Sequence, residues 1–397
     1  MPTPHFRKTV IATVVNDSGP GAMNTLSAVG DINGDGRPDV VIAGRTGRMV
    51  WLQNPGADGP WAQHLVAEVQ YMECGGSVRD LTGDGRADII TGGDWRDDQV
   101  YWWENPGPTG GPWPQRVLAK TGSTQFHDTL IGDVTNDGRL SLVFTNQHGD
   151  RGTAVYWVPL PADPRVSPWP GLAVVATGRA EALAAADGTQ RRQPEEGLAI
   201  GDIDGDGRNE LVAGTHWHRY TGQPQAPWEA HRFAQGYITT KVAIGDVDGD
   251  GRNEIVLSEG DPCIYGRTEG GKAAWFRPTG DLTALWEEHV LEEGLLDAHT
   301  LAVGPVCGTA ALDIVVGEIG VAGPEDQYVT RPPRLLVFEN DARGGFTRHV
   351  IDEGTGIHDG VLADTRGTGR LDIIGKPLHG PEKWNVHVYV NEAGAAP

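Results

Sequence analysis

Residues 201–214 read GDIDGDGRNELVAG: four acidic side chains, Asp202, Asp204, Asp206 and Glu210, lie within nine positions and run directly into an apolar stretch. Like charges at this density repel unless a cation sits among them. The phrase recurs as DINGDGRPD from Asp31, DLTGDGRAD from Asp80, DVTNDGRLS from Asp133 and DVDGDGRNE from Asp246. Two further copies are degenerate: DTRGTGRLD from Asp364 keeps the glycines, and PVCGTAALD from Pro305 keeps only the apolar frame. Seven copies at intervals of 44 to 69 residues make repetition the primary feature of the chain.

Each copy sits in the same setting. A short apolar run (LAIGD, VAIGD, LAVGP) precedes the acidic loop, and a β-branched run (DVVIAG, NEIVLS, LDIVVG) follows it. A third, aromatic run closes on Asn-Pro-Gly in VWLQNPG (50–56) and VYWWENPG (100–107). A fourth carries His or Arg two residues before Val or Leu, as in WAQHLV (61–66), WPQRVL (113–118), WEEHVL (286–291) and FTRHVI (346–351). Four short strands per unit predict propeller blades, hence an all-β, seven-bladed β-propeller formed by residues 1–397 as one domain. After the seventh loop the chain is one strand short, and HFRKTVI near the N-terminus matches FTRHVI. A strand over about 5–13 is therefore expected to complete the last blade and close the ring. Only 178–188 (GRAEALAAADG) shows a helical pattern.

Composition narrows the function. A net charge of −22 argues against nucleic-acid and anionic-membrane partners, both of which require a cationic surface. Cys74, Cys263 and Cys307 are too few and too scattered for a disulfide framework. The first residues show no secretory h-region, so the expectation is a cytoplasmic monomer. No phosphate loop, G-x-S-x-G elbow or CxxC pair is present, which argues against nucleotide, serine-hydrolase and thiol-redox chemistry.

In the loops, side-chain oxygens at positions 1, 3, 5 and 9, brought together by turn glycines, make a flexible all-oxygen set suited to Ca2+. An EF-hand would place Glu at position 12, which from Asp202 is Ala213. The loops resemble the FG-GAP/VCBS repeats of integrin-type propellers, in which this hairpin binds calcium. Carried over position by position, the resemblance implies sites at Asp31, Asn33, Asp35 and Asp39; at Asp80, Thr82, Asp84 and Asp88; at Asp133 and Asp137; at Asp202, Asp204, Asp206 and Glu210; and at Asp246, Asp248, Asp250 and Glu254. The copies at 305 and 364 are expected to be empty. Three to five structural Ca2+ ions follow, and these staple hairpins without taking part in catalysis.

With the acidic hairpins defining a lower face, the longer connections (145–153, 178–196, 217–227, 259–272 and 317–333) collect on the upper one, where function is expected. Six residues before their loops stand His127, His299 and His358, with Glu196 and Cys74 at equivalent places and Lys241 one residue on. His127, Glu196, His299 and His358 are read as holders of a second divalent metal. The acid–base and electrophilic roles fall to His127, His299, His358, Lys241, Tyr237 and His216. Substrate contacts are assigned to Trp95, Arg96, Trp217, His218, His148, Glu259, Lys376 and His379. The mouth is also similar to the propeller domain of aldos-2-ulose dehydratases, which implies a lyase or dehydratase acting on a small sugar or oligosaccharide by proton abstraction and β-elimination. A lectin-like sugar binder and an integrin-like interaction scaffold are the alternative readings.

Overall fold

The computed structural model describes residues 4–392 apart from 20, 109, 149–152, 178–181, 185–189 and 193–195. Seven four-stranded antiparallel sheets follow one another along the chain. Their inner strands are Asn24–Gly30, Ser77–Arg79, Thr124–Gly132, Leu198–Gly201, Thr240–Gly245, Thr300–Gly304 and His358–Ala363. These define blades 1 to 7. In blade 7 the outer strand is Phe6–Thr13, paired with Asn385–Asn391 from Phe6 opposite Asn391 to Thr13 opposite Asn385. Seven apolar clusters fill the interfaces between blades, and the one that joins blade 7 (Ile11, Val386, Val388) to blade 1 (Val40, Ile42, Val50) closes the ring. The expected helix at 178–188 is replaced, over its described part, by Ala182–Ala184 paired with Gln190–Arg192. An isolated helix that short has too few internal hydrogen bonds to hold in water.

The outer-strand signature has a packing cause. Trp51 pairs directly across from His64, Trp102 from Arg116, Trp217 from His231 and Trp275 from His289. The imidazole of His64 stacks on Trp51 at 4.2 Å and that of His289 on Trp275 at 4.0 Å, while the Arg116 guanidinium lies 4.9 Å from the Trp102 ring. Such cross-strand pairs stabilise a sheet face by a few tenths to about 1 kcal/mol each.

Position nine of the acidic loop is buried. Asp39, Asp88, Glu210, Glu254, Asp313 and Asp372 are all at most 1% exposed. Asp39 accepts the N–H of Ile32 (3.1 Å) at loop position two and of Asn54 (2.8 Å) at the end of the third strand. Asp88 does the same with Leu81 and Asn105, Asp313 with Val306 and Asn340, and Asp372 with Thr365 and Asn391. The third-strand Asn then reaches back one blade. The side-chain amide of Asn105 donates to Ile32 O, that of Asn340 to Val247 O, that of Asn391 to Val306 O and that of Asn54 to Thr365 O. This explains the Asn of the Asn-Pro-Gly phrase: in blades 1, 2, 6 and 7 the Asn at this place stitches the blade to the hairpin before it.

Asp313→Ala strips three buried N–H groups, those of Val306, Cys307 and Asn340, of their acceptor. The expected loss is about 3 kcal/mol. Urea denaturation with and without calcium checks this, and the loss should be the same in both because this loop has lost its acidic ligands.

Candidate functional site

The inner strands begin at the upper end of the central channel, and their first residues converge there. His127 Nε2 lies 3.2 Å from His299 Nε2, with the two ring planes at 66°. His127 Nδ1 faces Asp128 Oδ2 at 3.2 Å and Glu196 Oε2 at 3.5 Å. On the other side, His299 Nδ1 faces Asp359 Oδ1 at 3.2 Å. Each imidazole is thus backed at Nδ1 by a carboxylate, which orients the ring and aims Nε2 at its neighbour. Glu196 and Asp261 complete a buried group whose ligand atoms, one per residue with His127 and His299, all lie within 4.8 Å of one another.

Lys241 ties the two supports together: its Nζ is 3.3 Å from Asp128 Oδ1 and 3.3 Å from Asp359 Oδ1. Those residues belong to blades 5, 3 and 7, so one side chain spans the channel. Burial alone would raise both aspartates, but the neighbouring Lys241 and histidines outweigh it and hold both below the usual carboxylate range. Burial would likewise depress Lys241, yet Asp128 and Asp359 raise it well above the usual amine value. His127 is desolvated too, but Cys74, Glu196 and Asp128 raise it well above the ordinary imidazole value. His299 is lowered, by burial first and then by Lys241. The two rings are joined by the single Nε2–Nε2 hydrogen bond. Burial pushes Glu196 up to about 8, and its Oε2 makes no hydrogen bond.

Backbone strain collects at the same mouth. Tyr71 (φ 64), Gln125 (φ 60), Thr239 (φ 46), Asp297 (φ 56) and Asp359 (φ 49) all occupy the left-handed region just before or at the start of an inner strand. For a β-branched residue such as Thr239 this is a genuine outlier, of the kind that persists at functional sites. Thr239 is held by accepting the Gly260 N–H at its carbonyl (2.6 Å) and the Asp261 N–H at Oγ1 (2.8 Å). The strain therefore sets where Asp261 points.

Among family models, one described as an FG-GAP-like repeat matches residues 80–144 and 202–257, and one described as an FG-GAP repeat matches 23–49. The protein is a seven-bladed β-propeller that carries FG-GAP-type repeats in these segments. A search of curated proteins finds no match. Among solved structures, this propeller is similar to the BP39L lectin from Burkholderia pseudomallei, at 14% identity and a TM-score of 0.56 over 93% of this chain and 96% of that one. It is similar to BBS1N in complex with ARL6DN, at 10% identity and 0.53 over 98% and 99%. It also matches the rhamnogalacturonan lyase YesW, at 14% and 0.48 over 97% and 76%. At these identities the likeness is one of fold. The resemblance to aldos-2-ulose dehydratases gains no support from these matches.

Two acidic loops of this propeller, those from Asp202 and Asp246, have an oxygen set that fits calcium. In the loops from Asp202 and Asp246, carboxylate oxygens at positions one, three and five lie within 4.8 Å of one another. Glu254 Oε1, at position nine, is buried without a hydrogen-bond partner. The first aspartate organises each loop by accepting the N–H of position six: Asp31 from Gly36, Asp80 from Gly85, Asp133 from Gly138, Asp202 from Gly207 and Asp246 from Gly251. Asp364 keeps this bond in its degenerate copy. Guanidinium groups occupy part of the charge: Arg37 pairs with Asp35, Arg86 with Asp84, Arg139 with Asp137, Arg219 with Asp204 and Arg277 with Asp248. Asp39 and Asp88 already spend both oxygens on backbone N–H groups.

Several expected site residues stand elsewhere. Residues 216–223 form the third strand of blade 4 and not an upper insertion, so Trp217 is 1% exposed, stacked near His231 and packed in the core between blades 4 and 5. His218 is buried in the same strand, and His216 contacts Thr215 at its upper end. Tyr237 is buried and donates its hydroxyl to Glu288 on the outer strand (2.6 Å), away from the imidazoles. Glu259 is saturated by Arg267 Nη1, Ile238 N and Lys272 N, and so anchors the 259–272 connection. Lys376 is buried beside His358 Nδ1 (3.2 Å) and donates to Asn24 O. His379 faces Asp326 at 3.4 Å. His148 is exposed at the end of its strand. Trp95 is 43% exposed, but the Arg45 and Arg96 guanidiniums lie 4.7 and 4.4 Å from its ring, and Asp94 holds Arg96. Asp261 was not legible in the sequence because its position depends on the path of a long connection.

Lys241→Met leaves Asp128 and Asp359 buried without their shared cation, for an expected loss of about 3–5 kcal/mol. Adding Asp128→Asn and Asp359→Asn should recover most of it; chemical denaturation of the single and triple variants is the check.

Proposed function

We propose that this propeller is a carbohydrate-active lyase or dehydratase whose upper centre holds a divalent metal on His127, Glu196, Asp261 and His299. The convergence of those four side chains carries the reading. Two ligands about 2.0–2.1 Å from a tetrahedral ion stand about 3.3 Å apart, close to the 3.2 Å between the facing Nε2 atoms. His358 belongs to a second group with Cys74 and His299. Its ring, however, lies stacked on His299 at 4.3 Å and only 13° from parallel, so the in-plane lone pairs of the two do not converge on one ion. Asp261 therefore takes the ligand place that the sequence assigned to His358.

A divalent cation held on these four side chains would supply Lewis-acid polarisation of a substrate carbonyl. His358 stands beside the ligand set, stacked on His299 at 4.3 Å, and is the candidate proton acceptor. Asp128, Asp359 and Lys241 hold the rings. A second reading, a sugar-binding propeller with a structural metal, is favoured by the deep burial of the four ligands.

Metal analysis after mild calcium chelation separates the cases. Wild type and His358→Ala should retain a transition metal or zinc, and His127→Ala/His299→Ala and Asp261→Ala should lose it. The loaded protein is then screened for elimination on keto-sugars and uronates; retained metal without turnover supports the second reading, and calcium alone in every variant refutes the metal site. On the lower face, equilibrium dialysis should give three to five calcium ions, two fewer in Asp204→Ala/Asp248→Ala.

A further inference from the structure

Between blades 1 and 2, on the upper side, a groove of about 700 Å³ opens against the end of the blade 1 sheet. Its lining is dense in hydroxyl, amide and carboxylate groups: Thr46, Glu68, Gln70, Asp97, Tyr101 and Gln115. No basic residue is among those that line it. Tyr71 stands on its rim, 37% exposed, with a left-handed backbone (φ 64). The chain pays for that conformation with two short backbone bonds, from Tyr71 N to Arg45 O (2.5 Å) and from Asp94 N to Tyr71 O (2.6 Å). The Arg96 guanidinium, fixed on Asp94, lies 4.3 Å from the Tyr71 ring and supports it. The result is a rigid aromatic surface facing hydrogen-bonding groups, a combination that suits the apolar face and hydroxyl edge of a pyranose. Three residues beyond Tyr71 is Cys74, which groups with His299 and His358 at the upper centre.

We propose that this groove is a subsite for a neutral oligosaccharide chain extending from the upper centre, with Tyr71 as the stacking platform. The proposal deepens the carbohydrate reading above and rests on it for the chain's direction. Glu68 and Asp97 are the charged residues among the described lining, and they disfavour a uronate by like-charge repulsion that Arg48, opposite Glu68, offsets only at that end. Tyr71 lines this groove, and Trp95, the side chain expected for stacking, does not.

The test is binding of cello-, xylo-, laminari- and mannohexaose and of hexagalacturonate, by calorimetry, to wild type, Tyr71→Ala, Gln70→Arg and His127→Ala/His299→Ala, each first checked for an unchanged thermal midpoint. At least one neutral hexasaccharide should bind wild type. Tyr71→Ala should weaken it about tenfold or more, and Gln70→Arg should weaken it by placing bulk and a guanidinium in the groove. Hexagalacturonate should bind more weakly. Retained binding by the His127→Ala/His299→Ala protein establishes the groove independently of the central metal, so failure of that reading is seen separately. The proposal is overturned if no neutral hexasaccharide binds at millimolar concentration, if Tyr71→Ala and Gln70→Arg both bind as wild type does, or if hexagalacturonate binds best.

Discussion

Everything in this ring depends on one buried carboxylate, repeated. At loop position nine an Asp or Glu enters the sheet end and accepts backbone N–H groups that the hairpin leaves unpaired. In four blades the same carboxylate also fixes the N–H at the end of the third strand. Unpaired N–H groups buried at that depth would each cost free energy comparable to a lost hydrogen bond. Blades 6 and 7 have lost most of the acidic pattern around it but keep Asp313 and Asp372 with the same partners. The clamp therefore does not need a cation, and the acidic loop combines two devices: an exposed oxygen set suited to calcium, and a buried anchor that holds strand order.

The anchor also explains how blades communicate. In blades 1, 2, 6 and 7 the Asn whose N–H it receives sends its side chain to the hairpin of the preceding blade, so these bonds link the hairpins of blades 5, 6, 7, 1 and 2 along the lower face. Apolar clusters between blades supply most of the burial, but they are not directional. The Asn stitches add register, and closure through Phe6–Thr13 makes the first and last blades depend on each other.

At the upper end the same geometry turns a repeat into a site. Inner strands that start at equivalent positions bring one side chain from each blade toward a common axis. There the charges are arranged in series: carboxylates behind imidazoles, and Lys241 across both carboxylates. Left-handed backbone at Thr239, Asp297 and Asp359 marks where local preference yields to that convergence.

The number of blades, their strand order, the ring closure and the places of His127, Glu196 and His299 were readable in the chain, because they follow from a repeat and from a count of residues back from each loop. Periodicity is local and survives any packing of the blades. Which way a side chain turns is not local. Trp217 and Tyr237 were expected at the mouth and went into the core between blades 4 and 5, because burying a large ring there outweighs exposing it. Glu259 sat at the right strand end and was claimed by Arg267 and by the backbone N–H groups of Lys272 and Ile238. Asp261 carried no signal at all, and reached the imidazoles through a strained Thr239 and a folded loop. The sequence by itself determined the scaffold, whose rules repeat. The tertiary structure alone decided the membership of the site, since that turns on loop paths and on competition for partners that only the closed ring brings together.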